Sequence, residues 1–282
     1  MANIIDAIIN LVHDDDLQLR SHHIGTNRAN IVGDNLEDFI KDLFAGTLCV
    51  EEKRRLLKLS QVFSYSGNSS NPPDAMLRGG DAIEIKKIES DNSSLALNSS
   101  YPKHTLKSTN PMINTACKEA ENWQEKDMLY VIGVVKKGSS TLKHLCMVYG
   151  TNYCASDSFY EKRKDEIRDN LMSIPNVIYE PHNGYNHKNE PDSLGNTYFK
   201  LTSKWKFKNP WQAFDYVYKK PLDKKFTFMC IIDENKWNSF PNNQELLDLS
   251  LKVNNLKITD KYVKSPDDNS IIEKVKLVTY YK

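Results

Sequence analysis

The sequence predicts an α/β (α+β) fold: a mixed central β-sheet flanked by helices, with a C-terminal α+β elaboration. Three observations predict it. Asp81 to Ile88 alternates like a half-buried strand and follows a Gly79-Gly80 turn signal of the hairpin kind. Asp127 to Val135 and Leu142 to Tyr149 are apolar runs of strand length, the first apolar enough for burial on both faces. Helical spacing of apolar residues recurs before and between these runs. The resulting order, α-β-β-α-β-β, closes most simply as a sheet with helices against it.

Taken in order, Ala2 to Leu11 reads as a helix with Ile4, Ile5, Ile8, Ile9 and Val12 on one side. His13 and the acidic triplet Asp14-Asp15-Asp16 punctuate it, as a solvated cap or turn. Asp34 or Asn35 can cap a second helix that buries Leu36, Phe39, Ile40, Leu43 and Phe44 and stops at Gly46. The hairpin follows. Asn114 to Lys126 is expected as a helix through Ala116, Cys117, Ala120 and Trp123, then come the two apolar strands. Tyr153 to Met172 reads as a helix capped by Ser156 or Asp157, with alternating charges from Glu161 to Glu166 on a solvated face. Pro175 to Glu180 is a short strand. Asp215 to Lys225, Phe226 to Ile232, Gln244 to Leu251 and Val275 to Tyr280 supply further strand and helix material. Residues 1–180 are expected to hold the core and residues 181–282 a recognition or dimerisation subdomain, without a low-complexity linker to mark the boundary.

The chain of 282 residues carries a net charge of +1, so any basic surface must be local. Its five cysteines, Cys49, Cys117, Cys146, Cys154 and Cys230, are scattered without a Cys-x-x-Cys pair. That argues against structural zinc and a disulfide framework, and for a reducing, cytoplasmic setting. No apolar run reaches transmembrane length, and residues 1–12 lack a basic leader, so no membrane partner is expected.

The chemistry gathers between Asn71 and Lys87. On a strand, Glu84 and Lys86 share one face while Ile83 and Ile85 take the other. The hairpin can fold Asp74 back beside Glu84. Two close carboxylates repel unless a cation sits between them, and a pair of hard oxygen donors suits Mg²⁺. A lysine beside them can orient or help deprotonate an attacking water. Asp81 and Glu89 lie on the opposite parity from Glu84, although Asp81 is close enough in sequence to compete with Asp74. Glu37 sits near the apolar stripe of its helix. It serves either as a third acid of the site or as an N-terminal charge on the helix dipole.

Other segments carry nucleic-acid chemistry. Asn98, Ser99, Ser100, Tyr101 and Lys103 place hydrogen-bonding groups directly after the catalytic strand, suited to phosphate oxygens and base edges. The stretch around His182, Asn183, Tyr185 and Asn186 reads as a base-reading loop; His182 and His187 lack the further ligands a zinc site needs. Lys204, Lys206 and Lys208 fall on one face of a strand, with Trp205 and Phe207 on the other, either as a phosphate-tracking edge or as an ordinary amphipathic strand.

Pro73-Asp74…Glu84-Ile85-Lys86 resembles the Pro-Asp…(Asp/Glu)-x-Lys motif of the PD-(D/E)xK nucleases. A narrower likeness runs through Asn27-Arg28-Ala29-Asn30…Gly33…Leu36-Glu37, Phe63 to Asn68, Asn71 to Asp74, Gly80 to Lys87 and Leu95 to Lys103. These blocks, spread over residues 25–135, resemble the NgoPII-type family of Type II restriction endonucleases. The resemblance implies Mg²⁺-dependent cleavage (with Mn²⁺ as a substitute) of double-stranded DNA at a short palindrome by a homodimer. GGCC is the expected site, and a DNA methyltransferase the genetic partner. It implies metal ligation by Asp74, Glu84 and the Ile85 carbonyl, a water-positioning role for Lys86, a third acid in Glu37, and DNA contacts from Arg28 and Asn30. Three rivals stay open: a repair or structure-specific nuclease of the same fold, a non-catalytic DNA-binding module, and a phosphate-ester hydrolase for small substrates.

Overall fold

Asn3 starts the first helix as its cap. Its side chain accepts the Ile5 N–H at 2.8 Å, and Asp6 reaches back to the Asn3 N–H at 2.8 Å. The computed structural model describes residues 1–19, 28–68, 71–97, 101–174, 177–180, 184–187, 200–201 and 204–282, with the backbone alone for 28–31, 177–180, 184–187 and 200–201. The N-terminal helices are α1 (Ile4–His13), α2 (Arg28–Ala45) and α3 (Glu52–Val62). Strands β1 (Phe63–Tyr65), β2 (Ala75–Leu77), β3 (Ala82–Ile88), β4 (Leu95–Leu97) and β5 (Thr105–Lys107) lead to the one-turn helix α4 (Thr115–Lys118). Strands β6 (Glu125–Val135) and β7 (Leu142–Tyr149) precede α5 (Gly150–Tyr153) and α6 (Asp157–Met172). Then come β8 (Val177–Glu180), β9 (Gly184–His187), β10 (Lys200–Leu201), β11 (Trp205–Phe207) and α7 (Pro210–Ala213). The chain finishes with β12 (Thr227–Asp233), α8 (Glu234–Ser239), α9 (Asn243–Lys252), β13 (Leu256–Lys264) and β14 (Ile272–Tyr281).

Among the described residues the central sheet has nine strands in the order β1-β2-β3-β6-β7-β12-β14-β13, with β5 added against β6. It is mixed: β3 runs parallel to β6 and β12 parallel to β7, and the other pairs are antiparallel. One face is covered by α1, α2, α8 and α9, whose Ile4, Ile8, Leu36, Ile40, Trp237 and Leu246 pack with Ile83, Ile85, Leu129 and Phe228. The other face gathers Ala82, Tyr130, Ile132, Met229 and Ile231 under Cys117, Trp211 and Phe214. Gly133 on β6 lets α2 approach: a Cβ there would lie 2.7 Å from Leu36. Two small sheets, β10-β9-β8 and β11-β4, stand outside the main one.

The expected mixed sheet with flanking helices is present, and several local expectations change: Asp215 to Lys225 forms neither helix nor strand, and Glu37 lies in the middle of α2, away from the N-terminal end of the helix dipole. Helix α2 begins at Arg28, so Asp34 and Asn35 lie inside it and cap nothing; Gly46, at φ +62°, ends it as foreseen. Residues 114–126 are not one helix: Asn114 caps only α4, and Glu125 and Lys126 already belong to β6. Helix α3 had no counterpart in the expectations. The C-terminal strands extend the central sheet, so the two parts expected on either side of residue 180 share it. Among the described residues no helix is long and apolar enough to cross a membrane.

Candidate active site

Four residues, Arg78-Gly79-Gly80-Asp81, join β2 to β3, longer than a two-residue Gly79-Gly80 turn, and the Leu77 N–H closes the loop on the Asp81 carbonyl at 2.9 Å. The Gly80 N–H donates to the Leu77 carbonyl at 3.0 Å, and Gly79 has φ +65°, the left-handed conformation for which glycine is suited. The short ladder pairs Ala75 with Ile83 and Met76 with Ala82. This register brings Asp74 alongside Glu84. The Asp74 N–H donates to the Ile83 carbonyl at 3.0 Å, and the Ile85 N–H donates to Asp74 Oδ2 at 2.6 Å. Gly67, at φ +83°, seats the loop before the hairpin: a Cβ there would meet the Asp74 carbonyl oxygen at 2.3 Å.

Strand parity holds. Ile83 and Ile85 enter the core under α2, and Glu84 and Lys86 take the opposite face. Lys86 Nζ lies 2.6 Å from Glu84 Oε1 and 3.5 Å from Asp74 Oδ2. The three heads therefore converge. Glu84 is buried, and its Oε2 has no hydrogen-bond partner among the described residues. Burial, with Asp74 next in sign, raises the Glu84 carboxyl well above the usual range against the opposing pull of Lys86. Burial would lower Lys86, but Glu84 and Asp74 outweigh it and keep the amine an ammonium beyond its ordinary range. One ammonium thus serves two acids, and the more deeply buried one is left undercompensated.

Glu37 stands on α2 beside this group. Burial first, then Asp74, pushes its carboxyl up from 4.5 to about 7, against the pull of Lys41 and Lys86. Lys41, 3.8 Å from Glu37, also donates to the Ser66 carbonyl at 3.0 Å and so ties α2 to the loop that seats Asp74. Among the described residues no three Asp, Glu, His or Cys side chains gather at metal-holding spacing, so Glu37 does not join Asp74 and Glu84 in a three-acid cluster. The two hairpin carboxylates, one with a buried unpartnered oxygen, still fit a hard divalent cation that completes its shell with water and phosphate. Asp81 is not a competitor. It accepts from the Tyr149 hydroxyl at 2.7 Å and from Lys236 Nζ at 2.7 Å, and Lys236 also reaches Asp127 at 2.6 Å.

The lysine strand comes close in topology. β11 pairs antiparallel with β4, which follows β3 after a short loop; Trp205 is opposite Leu97 and Phe207 opposite Leu95. Lys204, Lys206 and Lys208 are exposed, while Trp205 and Phe207 pack against Tyr101, Tyr130, Tyr153 and Tyr160. Tyr101 and Lys103 are placed in that support. The Tyr101 ring stacks on Tyr160 with centroids 5.1 Å apart, its hydroxyl donates to Glu161 at 3.0 Å, and Lys103 Nζ sits 3.6 Å from its ring centre. Lys103 is 6% exposed, and burial lowers its ammonium. The side chains of Arg28, Asn30, Asn98, Ser99, Ser100, His182, Asn183, Tyr185 and Asn186 lie outside the described residues; Tyr185 and Asn186 have backbone places on β9. Gly67 and Lys41 escaped the sequence reading, because no motif spacing marks residues that act only once α2 meets the hairpin.

The family model of the NgoPII restriction endonuclease matches residues 2–264. The Type II restriction enzyme NgoPII of Neisseria gonorrhoeae is 46% identical over 279 residues, which cover 99% of this chain and 99% of that protein. No solved structure matches the chain. A match of this length, over a hairpin that brings Asp74, Glu84 and Lys86 together, places the chain in the NgoPII restriction endonuclease family.

Proposed function

We propose that this protein is a Type II site-specific deoxyribonuclease with a PD-(D/E)xK core. It hydrolyses both strands of DNA at a short palindrome, with GGCC the expected site, and leaves 5′-phosphate and 3′-hydroxyl ends. The convergence of Lys86 on Asp74 and Glu84 at the hairpin carries the reading. Asp74 and Glu84, with the Ile85 carbonyl, would hold Mg²⁺ (or Mn²⁺), and Glu37 would reach it through water. The cation, when bound, polarises the scissile phosphate and steadies the departing oxygen.

The chain's own groups do the rest. Lys86, held as an ammonium by Glu84 and Asp74 while no cation shares them, orients the attacking water for in-line approach and offers a hydrogen bond to the phosphate oxygen where charge grows. The Ile85 N–H fixes one Asp74 oxygen, which leaves the other for the cation. Lys204, Lys206 and Lys208 track the phosphate backbone, and the segments around Asn98 and His182 read bases. Tyr101 and Lys103 support them from behind. Residues 181–282 carry recognition and dimerisation elements, and a two-fold pair of sites matches a palindrome. A paired methyltransferase would protect the host's own copies of the site.

Digestion of a plasmid of known sequence, with Mg²⁺ and with EDTA, followed by sequencing of the ends, tests this. A fixed fragment ladder that needs Mg²⁺ is expected. A smear, or cleavage only at mismatches or branches, would favour the structure-specific nuclease. Lys86→Ala should abolish cleavage while DNA binding survives, and cutting at the parental rate would sink the mechanism.

A further inference from the structure

Residues 112–126 form a strap across the carboxylate hairpin. Asn71 Nδ2 donates to the Met112 carbonyl at 2.8 Å, just ahead of Asp74. Asn114 Nδ2 donates to the Tyr65 hydroxyl at 2.9 Å, and the Cys117 thiol meets the Met76 sulfur at 3.7 Å. At the far end the Glu121 carboxylate accepts the Gly79 N–H at 2.8 Å. Lys126 Nζ donates to the Gly80 carbonyl at 2.6 Å and to the Leu77 carbonyl at 3.3 Å, and pairs with Glu121. The strap therefore holds the hairpin on both sides of the first catalytic acid.

The hairpin needs such a hold. β1 flanks β2 and β6 flanks β3 in the sheet, but across the hairpin itself the ladder is short, Ala75 with Ile83 and Met76 with Ala82, ending at the Leu77 N–H on the Asp81 carbonyl at 2.9 Å, so the loop beyond it has little backbone pairing of its own. Two glycines in its loop widen the unfolded ensemble. The placement of Asp74 against Glu84 then depends on how the loop closes. Lys126 grips the loop from both sides, through Leu77 and Gly80, with its side chain 5% exposed. Lys126 is a buried ammonium whose charge is met by the half-buried Glu121 carboxylate and by two turn carbonyls, so its desolvation is offset by bonds that also fix the turn.

We propose that Glu121 and Lys126 are positioning residues for DNA cleavage: their clamp on the Gly79-Gly80 turn sets the separation of Asp74 and Glu84. The proposal rests on the reading of Asp74, Glu84 and Lys86 as the catalytic set. A shift of about 1 Å in such a pair can cost on the order of a hundredfold in rate, so loss of the clamp should register strongly in turnover.

The test is steady-state cleavage of plasmid DNA by Lys126→Met, Glu121→Gln and their double variant, each titrated with Mg²⁺. Lys126→Met should lower kcat about tenfold or more and raise the half-saturating Mg²⁺ several-fold, with KM for DNA within about twofold. Glu121→Gln keeps an acceptor for Gly79 and should move both quantities the same way by less. It carries the test if Lys126→Met does not fold. The double variant removes both charges together and should recover melting temperature without recovering kcat or Mg²⁺ affinity. Parental kcat and Mg²⁺ half-saturation in the single variants would overturn the proposal, as would recovery of kcat in step with stability in the double variant. Asp74→Ala, run alongside, separates the two levels. If it cuts at the parental rate, the catalytic reading fails; if it is inactive while the clamp variants are parental, the positioning role fails alone.

Discussion

Glu37 and Glu84 are held in the folded chain with carboxyl groups that resist ionisation, chiefly through burial, with Asp74 adding to it. The sign of the consequence follows from linkage. A folded-state pKa above the unfolded value means that folding takes up protons, so the contribution of these carboxyls to stability falls as pH rises between 4.5 and about 7, the window set by Glu37. A divalent cation at the hairpin, as proposed, would bind the ionised form and oppose that loss. The rise in melting temperature on adding Mg²⁺ should therefore be larger at about pH 8 than at about pH 5.5. At a concentration near a hundred times Kd, one bound ion adds about 2.7 kcal/mol, several degrees for a chain of this size. An equal rise at both pH values, or none at pH 8, would contradict the metal assignment by calorimetry alone. At this scale much of the site was legible. Period-two parity put Glu84 with Lys86 and set Asp81 apart, and both assignments follow from backbone geometry that a sequence carries openly. Lys103 was less legible. It sits in a polar, turn-like stretch, and only the later arrival of α6 and Tyr101 over it makes it a buried cation.

Among elements, β11 shows how a local pattern and a tertiary partner combine. Alternating Lys and aromatic residues over 204–208 prescribe a two-faced strand, and the two faces are found, lysines outward and rings inward. What the pattern could not say is that β4 would be its partner, which tethers the basic face to the segment that follows β3. If that face follows a phosphate backbone, each lysine displaces counterions. Replacing Lys204, Lys206 and Lys208 together by alanine should flatten the slope of log binding constant against log salt by up to about 3. The single-turnover rate at saturating DNA should stay near the parental value. An unchanged slope in a filter-binding titration would return the strand to the solvated, amphipathic reading. The two misread helices have physical reasons as well. Asp34 and Asn35 are capping residue types, but apolar spacing continues upstream through Val32, which packs on the core, so α2 runs past them. In 114–126 the apolar spacing is broken by competing bonds. Trp123 donates its indole to the Cys117 carbonyl at 3.2 Å, and Glu125 to Asp127 pair with β5. A strand partner outweighed a helical period.

For the molecule as a whole, the apolar runs near residues 226–232 and 275–280 announced strands but not their neighbours, since pairing partners far apart in sequence leave no periodic trace. In the fold β12 lies parallel to β7, with Thr227 opposite His144 and Ile231 opposite Val148, and β14 and β13 continue outward. The apolar core on the α1/α2 face is closed by Phe226, Phe228, Ile232, Trp237 and Tyr280 together with Ile4, Ile8 and Leu145. Lys236 of α8 supplies the cation for the buried Asp81 at the start of β3. A fragment of residues 1–180 would expose the whole outer edge of β7 and open that core. It would also leave the buried Asp81 without its cation, a loss that the remaining Tyr149 hydroxyl only partly offsets. The fragment should lack a cooperative thermal transition and cleave no DNA, although it carries Asp74, Glu84, Lys86 and the strap. Differential scanning calorimetry of the purified fragment decides the point. A single sharp transition would mean that the first 180 residues fold without β12, and that the C-terminal elements hang from a finished core instead of completing it. Loss of the transition would mean that Asp74, Glu84 and the C-terminal strands form one cooperative unit, in which strain on β12 and α8 reaches β3 through Lys236 and Asp81.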